Sequence, residues 1–463
     1  MLFALWFASG IVMMYWGFPE ISPAERLSRA APLAPAAIRV TPEAAWDRVR
    51  QFATPDTTRL TMLDSRPVYR FRTGRSEAIV YADTGEPLLT ASRDMALRIA
   101  AAWMQRPAPE ATFDGLLRDA DQWTVSGEYR ALRPLLKFSW SDGDQVYVST
   151  LTGEVVQHTT RLSRRAAYFG AIPHWLYWTP LRKNGPAWNK VVVWSSGIGT
   201  VAGILGLTAG AWIYLPRRRI PYQGQKRWHM ILGLAFGTLA CTWAFSGLLS
   251  MEPFQWLLGD NQAAFDIQAA LRGGPLDLKV FSAKPPRDAL DQAGPNTKTL
   301  EFALFDGEPH YLADSRIIPV RGDPSVQFDP ARILKLVAEA SRPATITESR
   351  VLTEYDAYYL DRHRQHPLPA LFVRLNDPQA STLYIDLKTA QIVEAYNNRS
   401  RWNRWLYHGL HSWNLPWLYR HRPAWDIMVM VFLAGGASLT VTAMIIGFQL
   451  LRRKLRFNRE LTP

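Results

Sequence analysis

Four apolar stretches interrupt an otherwise polar and charged chain, at residues 2–18, 191–215, 230–251 and 427–451. The last three are long enough to cross a hydrocarbon layer of about 30 Å at about 1.5 Å of helix rise per residue. None carries a charge near its centre. Apolar residues fall on every face of these stretches, whereas a core helix of a water-soluble protein keeps a polar face. They are predicted as membrane-spanning helices. The first stretch, about 17 residues, is at the short limit for a span. Only Met1 precedes it, so it lacks the basic n-region of a signal peptide. It reads as a membrane helix whose upstream part is missing.

The polar segments carry a different pattern. Apolar positions recur every 3.6 residues or so at 42–52, 92–104 and 330–340, which predicts helices there. Strands are expected at 66–71, 78–82, 135–140, 145–150 and 383–386. Turns follow them: Asp83-Thr84-Gly85-Glu86, Thr152-Gly153-Glu154 and Thr389-Ala390-Gln391. Short strands broken by such turns suit antiparallel sheets backed by helices, an α+β arrangement.

Basic residues near the spans set an orientation. Arg217, Arg218, Arg219, Lys226 and Arg227 crowd the loop between the second and third spans, and Arg452, Arg453, Lys454 and Arg456 follow the fourth. Both groups are expected on the cytoplasmic side of a bacterial inner membrane. The division that follows is a first span at 1–18, an outer region at 19–190 and a second span at 191–215. A cytoplasmic loop at 216–229, a third span at 230–251, an outer region at 252–426, a fourth span at 427–451 and a cytoplasmic tail at 452–463 complete it. Both long regions then face the periplasm. The net charge of +13 is partly these anchors and otherwise scattered arginine, so no nucleic-acid partner is read from it. A lone cysteine, Cys241, allows no disulfide framework and no covalent haem attachment.

Sliding the chain against itself by 237 positions, the separation of His174 and His411, brings two halves into register. Trp6, Ser9, Gly10 and Met14 then meet Trp243, Ser246, Gly247 and Met251. Tyr147 and Thr152 meet Tyr384 and Thr389, and Pro186-Ala187-Trp188 meets Pro423-Ala424-Trp425. Gly199 and Gly210 meet Gly436 and Gly447. The copies have the same sense, so the expected architecture is a four-helix transmembrane bundle of two parallel repeats about a pseudo-two-fold axis along the membrane normal. In this register the counterpart of His229 falls upstream of Met1.

The aromatic strands with their Asp-Thr-Gly-Glu turns resemble PepSY domains. The Ser-Gly helices (Ser9-Gly10, Ser246-Gly247) and the Pro173-His174 and Leu410-His411 elements resemble the PepSY-associated transmembrane family. That resemblance covers nearly the whole chain and implies two periplasmic PepSY-like domains above the bundle. Departures are the absent first histidine and the turn eroded to Thr389-Ala390. Members of the family are associated with iron uptake, and some are haem-containing reductases of ferric siderophores.

Two imidazoles on facing helices are what axial haem ligation requires. His174 and His411 occupy equivalent outer positions, and His408 lies three residues before His411 as an alternative ligand or a neighbour of it. His229 marks a second, cytoplasmic position. The bland alternative is that these are interfacial residues among many tryptophans and tyrosines. His421 reads as interfacial, and His158, His310, His363 and His366 as surface residues. Ser9 and Ser246 are expected to satisfy backbone carbonyls within the bundle. Gly199, Gly203, Gly206 and Gly210 have the spacing of close helix packing, with a flat cofactor as the alternative.

The expected function is electron transfer through non-covalent haem b to a ferric siderophore in the periplasm, with a quinone or a cytoplasmic protein as donor and the lipid bilayer as surroundings. No dinucleotide fingerprint, P-loop, HExxH or GxSxG occurs in the chain. The competing reading is non-enzymatic, a membrane protein presenting PepSY modules for binding or regulation. Transport is disfavoured by spans that lack intramembrane charge.

Overall fold

The computed structural model describes residues 2–49, 54–257, 259, 261–314, 316–361 and 364–460. The chain divides into two compact units. One, the helical unit, comprises Met1–Pro19, Leu162–Leu258 and Arg399–Pro463, and the other, the sheet unit, comprises Glu20–Arg161 and Gly259–Asn398.

Four helices dominate the helical unit: α1 (Leu2–Met13), α2 (Gly185–Arg217), α3 (Gly224–Leu249) and α4 (Arg422–Glu460). Among the described residues α2, α3 and α4 are long and apolar enough to cross a membrane, whereas α1 is apolar but short. The first stretch stops being helical at Met13, ahead of Gly17 and Pro19, which break regular structure. Helix α2 starts where Asn184 accepts a hydrogen bond from the Ala187 N–H (3.1 Å), with Pro186 in its first turn. Trp194, Leu205 and Trp212 on α2 are more than half exposed. An apolar face of that extent fits a lipid environment better than water.

Contacts run from α1 to α4, from α4 to α3 and from α3 to α2. Glycine makes the closest of them. A Cβ on Gly199 would stand 2.7 Å from the Phe3 ring, and one on Gly436, its counterpart in the repeat, 2.6 Å from the Phe7 ring. Gly436→Ala is therefore expected to destabilise the unit by about 1–3 kcal/mol, read as a lower melting temperature in detergent. Gly447→Ala, where a Cβ meets nothing within 4 Å, is the control. Equal melting of the two variants would show that the ring contact is not the cause.

Among the described residues fourteen strands build the sheet unit. They are β1 (Thr57–Leu63), β2 (Arg66–Thr73), β3 (Ser76–Tyr81), β4 (Thr112–Leu117), β5 (Leu135–Ser139), β6 (Gln145–Ser149) and β7 (Val155–Thr159) in the first half. Then come β8 (Thr299–Phe305), β9 (Glu308–Ala313), β10 (Ile317–Pro319), β11 (Ile346–Leu352), β12 (Ala370–Leu375), β13 (Thr382–Asp386) and β14 (Ile392–Tyr396). They form three antiparallel sheets: β10-β9-β8-β1-β2-β3, β4-β5-β6-β7 and β11-β12-β13-β14. The predicted helices at 92–104 and 330–340 appear as Arg93–Met104 and Pro330–Ala340, capped at equivalent positions by Ser92 and Asp329. The helix expected over 42–52 is formed over Pro42–Trp46, and residues 50–53 lie outside the described ones.

The repeat is visible strand by strand. Strands β13 and β14 sit 237 positions after β6 and β7, but β8 and β9 begin 242 after β1 and β2. Their alternation of buried and half-buried positions is identical in β1 and β8. One offset therefore does not serve the whole chain. The two outer regions are joined, because β1 pairs with β8, and Arg59 faces Glu301, the equivalent position, across that ladder. The local two-fold axis of the sheet passes through this pair.

Arg70 on β2 is an ionised side chain in the interior, 2% exposed. Its Nε lies 3.3 Å from Glu154, its Nη1 lies 3.4 Å from Glu77, and Nη1 donates to the Thr152 carbonyl at 3.1 Å. Arg59 and Arg26 reach Glu154 at 3.4 and 3.7 Å. Burial by itself would push the Glu154 pKa up. The combined field of Arg70, Arg59 and Arg26 outweighs it and holds the carboxyl below the ordinary glutamate value.

Candidate functional site

His174 lies in a short helix, Ala171–Trp175, and His411 in the equivalent turn, Leu410–Ser412. Each element is stopped by a residue in the left-handed region, Leu176 (φ 54°) and Trp413 (φ 49°). These are equivalent positions, and neither is glycine. Holding a large L-residue there costs of order 1 kcal/mol, strain that persists only where surrounding structure imposes it. The restraint is also repeated: the indole N–H of Trp188 donates to the Trp175 carbonyl (2.8 Å), and that of Trp425 to the Ser412 carbonyl (3.2 Å).

These restraints bring the two rings together. Their centroids are 6.0 Å apart with planes at 71°. His174 Nδ1 lies 3.1 Å from Ser9 Oγ and 3.2 Å from the Trp6 carbonyl, and His411 Nδ1 lies 2.9 Å from Ser246 Oγ. Each serine spends its own proton on the carbonyl three residues earlier, Trp6 (3.2 Å) and Trp243 (3.1 Å). The serine oxygen must then accept, and Nδ1 must donate. In that tautomer Nδ1 carries the proton and Nε2 of each imidazole is an acceptor, with no hydrogen-bond partner for it among the described residues. A metal-bound histidine is held in this way, its other nitrogen donating to an oxygen that fixes ring and tautomer. Both serines thus do what was expected of them and a second task besides.

His229 repeats the logic on α3. Its Nδ1 is 3.1 Å from Thr442 Oγ1, whose proton goes to the Leu439 carbonyl at 2.8 Å. Nothing in the sequence marks Thr442 as a partner, because its counterpart in the repeat is Leu205. A cavity of about 790 Å³ opens beside His229 between α2, α3 and α4, with Phe3 and Phe7 of α1 also lining it. This is in the range of sites that enclose a cofactor-sized ligand. The glycines divide here. Gly203, Gly206 and Gly210 all line the cavity; a Cβ on Gly203 would press on Cys241 at 3.0 Å, a packing contact, while one on Gly206 meets nothing within 4 Å. Phe7 touches Trp243 (5.7 Å between centroids), and the Trp243 indole donates to the His411 carbonyl (2.9 Å). An aromatic layer therefore connects the cavity to the histidine pair.

His408 is exposed and packs against Tyr407 at 4.4 Å between centroids. Tyr407 in turn meets the His411 ring at 5.8 Å between centroids. The remaining histidines are distributed differently from expectation. His310 is buried rather than on the surface, its Nδ1 donating to the Glu308 carbonyl (2.8 Å) between Phe305 and Phe328. His158 is half-buried between Glu25 and Asp144, and His366 stacks on Tyr359 at 5.0 Å. Strand alternation and loop folding decide these, and neither is legible from a lone histidine. His421 is exposed, and His363 lies outside the described residues.

No protein-family model matches the chain, and no curated protein and no solved structure matches it. The functional reading rests on the residues and their geometry.

Proposed function

We propose that the chain is a multi-pass inner-membrane protein that binds haem b without covalent attachment and passes electrons outward to a ferric chelate. In this reading α1–α4 form a bundle of two parallel repeats, the basic loop and C-terminus face the cytoplasm, and the sheet unit faces the periplasm as two PepSY-like halves. The observation that carries it is the His174–His411 pair, with the Nδ1 of each ring held by a serine hydroxyl. Two imidazoles whose nitrogens face one another across one metal ion, at about 2 Å per bond and with each nitrogen about 1.1 Å from its ring centre, have centroids about 6 Å apart. The separation of 6.0 Å fits. His229, with Thr442 behind it and the cavity in front, is the second position where an iron-bound group fits.

Haem, when bound, supplies one-electron chemistry. The residues of this chain do the rest. Ser9, Ser246 and Thr442 fix ring orientation and tautomer, while the Phe7–Trp243 contact fills the space between the cavity and the pair. The donor is a quinol or a cytoplasmic protein that approaches on the His229 side. A non-enzymatic PepSY-type binding protein is the second reading, and one measurement separates the two. Protein purified in detergent from cells supplied with haem is expected to show b-type Soret and α bands in a reduced-minus-oxidised spectrum. Their absence would sink the redox reading and favour the second.

The serines give a finer test. Ser9→Ala and Ser246→Ala are each expected to weaken haem retention about 10–100-fold, the usual cost of losing a partner that orients a ligand, while keeping the ligand set. Retention equal to wild type in both variants would show that the hydroxyls do not orient the rings.

A further inference from the structure

Two tryptophans obey the repeat, but the charges beside them do not. Trp188 and Trp425 are each the fourth residue of a long helix, α2 and α4. Each donates its indole N–H to a carbonyl thirteen residues earlier. Each ring also carries a guanidinium: Arg182 lies over Trp188 at 4.3 Å, and Arg422 over Trp425 at 4.8 Å. Arg422 has its counter-ion within the chain, Asp426 at 3.1 Å. The residue at the position of Asp426 in the first repeat is Asn189.

Arg182 therefore keeps a charge that the chain does not neutralise. It is half-buried, and its guanidinium also meets the Tyr177 ring at 5.0 Å. Its Nε is shut off from solvent without a hydrogen-bond partner, and no carboxylate pairs with it among the described residues. Acidic side chains are scarce throughout the helical unit, which has only Glu252, Asp426 and Glu460. The rings under Arg182 are themselves fixed. Tyr177 meets Phe18, Trp175 and Trp188 at 5.7, 5.2 and 5.6 Å between centroids. A half-buried cation held in this way calls for an anion from outside the chain.

The surroundings narrow the class of that anion. Trp178, whose carbonyl accepts the Arg182 N–H at 2.9 Å, is exposed, as is Trp175. Exposed tryptophans at the head of a membrane-spanning helix mark the level of lipid headgroups. A guanidinium stacked on aromatic rings presents its remaining N–H groups in a planar fork that suits phosphate.

We infer that Arg182, laid on Tyr177 and Trp188, binds the phosphate of an anionic phospholipid at the head of α2, in the first repeat alone. The lipid takes the part that Asp426 plays in the second repeat. Its place in the outer leaflet rests on the membrane orientation proposed above, whereas nothing in the site rests on haem. The site adjoins the histidine pair, because Trp188 holds the carbonyl of Trp175, the residue after His174.

The experiment titrates the full chain in detergent with phosphatidylglycerol or phosphatidylcholine and counts bound lipids by native mass spectrometry. Wild type is expected to hold phosphatidylglycerol about tenfold more tightly than phosphatidylcholine. Arg182→Gln should lose that preference. Asn189→Asp should lose it too, since it keeps the cation and its rings but adds the carboxylate that the second repeat has, and it guards against loss of fold. Arg422→Gln, whose cation already has Asp426, should leave the preference unchanged. A preference that survives both Arg182→Gln and Asn189→Asp, or that falls equally in Arg422→Gln, would overturn the site. Displacement of phosphatidylglycerol by inorganic phosphate would assign the site to free phosphate and overturn the lipid. The two readings fail separately. Lipid preference intact in protein without haem bands rejects the redox reading, whereas normal bands with lipid binding indifferent to residues 182 and 189 reject the lipid site.

Discussion

His174→Ala or His411→Ala is expected to abolish one complete set of b-type haem bands, not merely to shift it. The rings are 6.0 Å apart, and each has one nitrogen committed to a serine, so neither can take over both ligand positions. His408 is not expected to substitute, because it is exposed and packs on Tyr407 (4.4 Å between centroids). His408→Ala should leave the spectrum as it is. His229→Ala should remove a different set, since that residue lies in the cavity with its own hydroxyl partner, Thr442. The measurement is a reduced-minus-oxidised spectrum with haem quantified against protein. Unchanged bands in both His174→Ala and His411→Ala would end the assignment of the pair as ligands, and loss in His408→Ala would redirect it.

Glu154→Gln should destabilise the sheet unit by about 3 kcal/mol, because it strands Arg70, a nearly inaccessible cation, with Glu77 as its remaining carboxylate. The second repeat shows an alternative. The positions equivalent to Arg70 and Glu154 there are Leu312 and Gln391, and Leu312 is buried. The double variant Arg70→Leu with Glu154→Gln should therefore unfold at higher denaturant than Glu154→Gln alone. Additive losses would show that the pair is not coupled. The pH dependence has a definite sign. Since the Glu154 carboxyl is held below its ordinary value of 4.5, its stabilisation is complete above that value. It is lost as pH falls through the lower folded value. Wild type should lose stability in that acidic window, and the Glu154→Gln variant should show a smaller slope there.

The repeat also shows where symmetric reasoning stops. Gly153 sits in the left-handed region at φ 64°, and its counterpart Ala390 holds the same region at φ 54°. The second turn has the same shape without the residue type that makes that shape easy.

The sequence alone established the long apolar helices, the duplication, the alternating strands with their turns, and the equivalence of His174 and His411. These are periodic or additive signals: hydropathy summed over a span, alternation along a strand, identity at a fixed offset. It also marked Ser9 and Ser246 as a repeated feature, without showing what they touch. The tertiary structure decided what depends on distances between remote residues. It set the 6.0 Å between the rings, the serine oxygens that fix their tautomers, Thr442 behind His229, and the burial of His310. It joined the outer regions through β1 and β8, and it built a π-helical turn, Arg404–Gly409, on the flank of His411 only. Nothing local encodes these. A hydroxyl in one helix and an imidazole some 165 residues away carry no shared pattern, and only the packing that brings the helices together makes them a site.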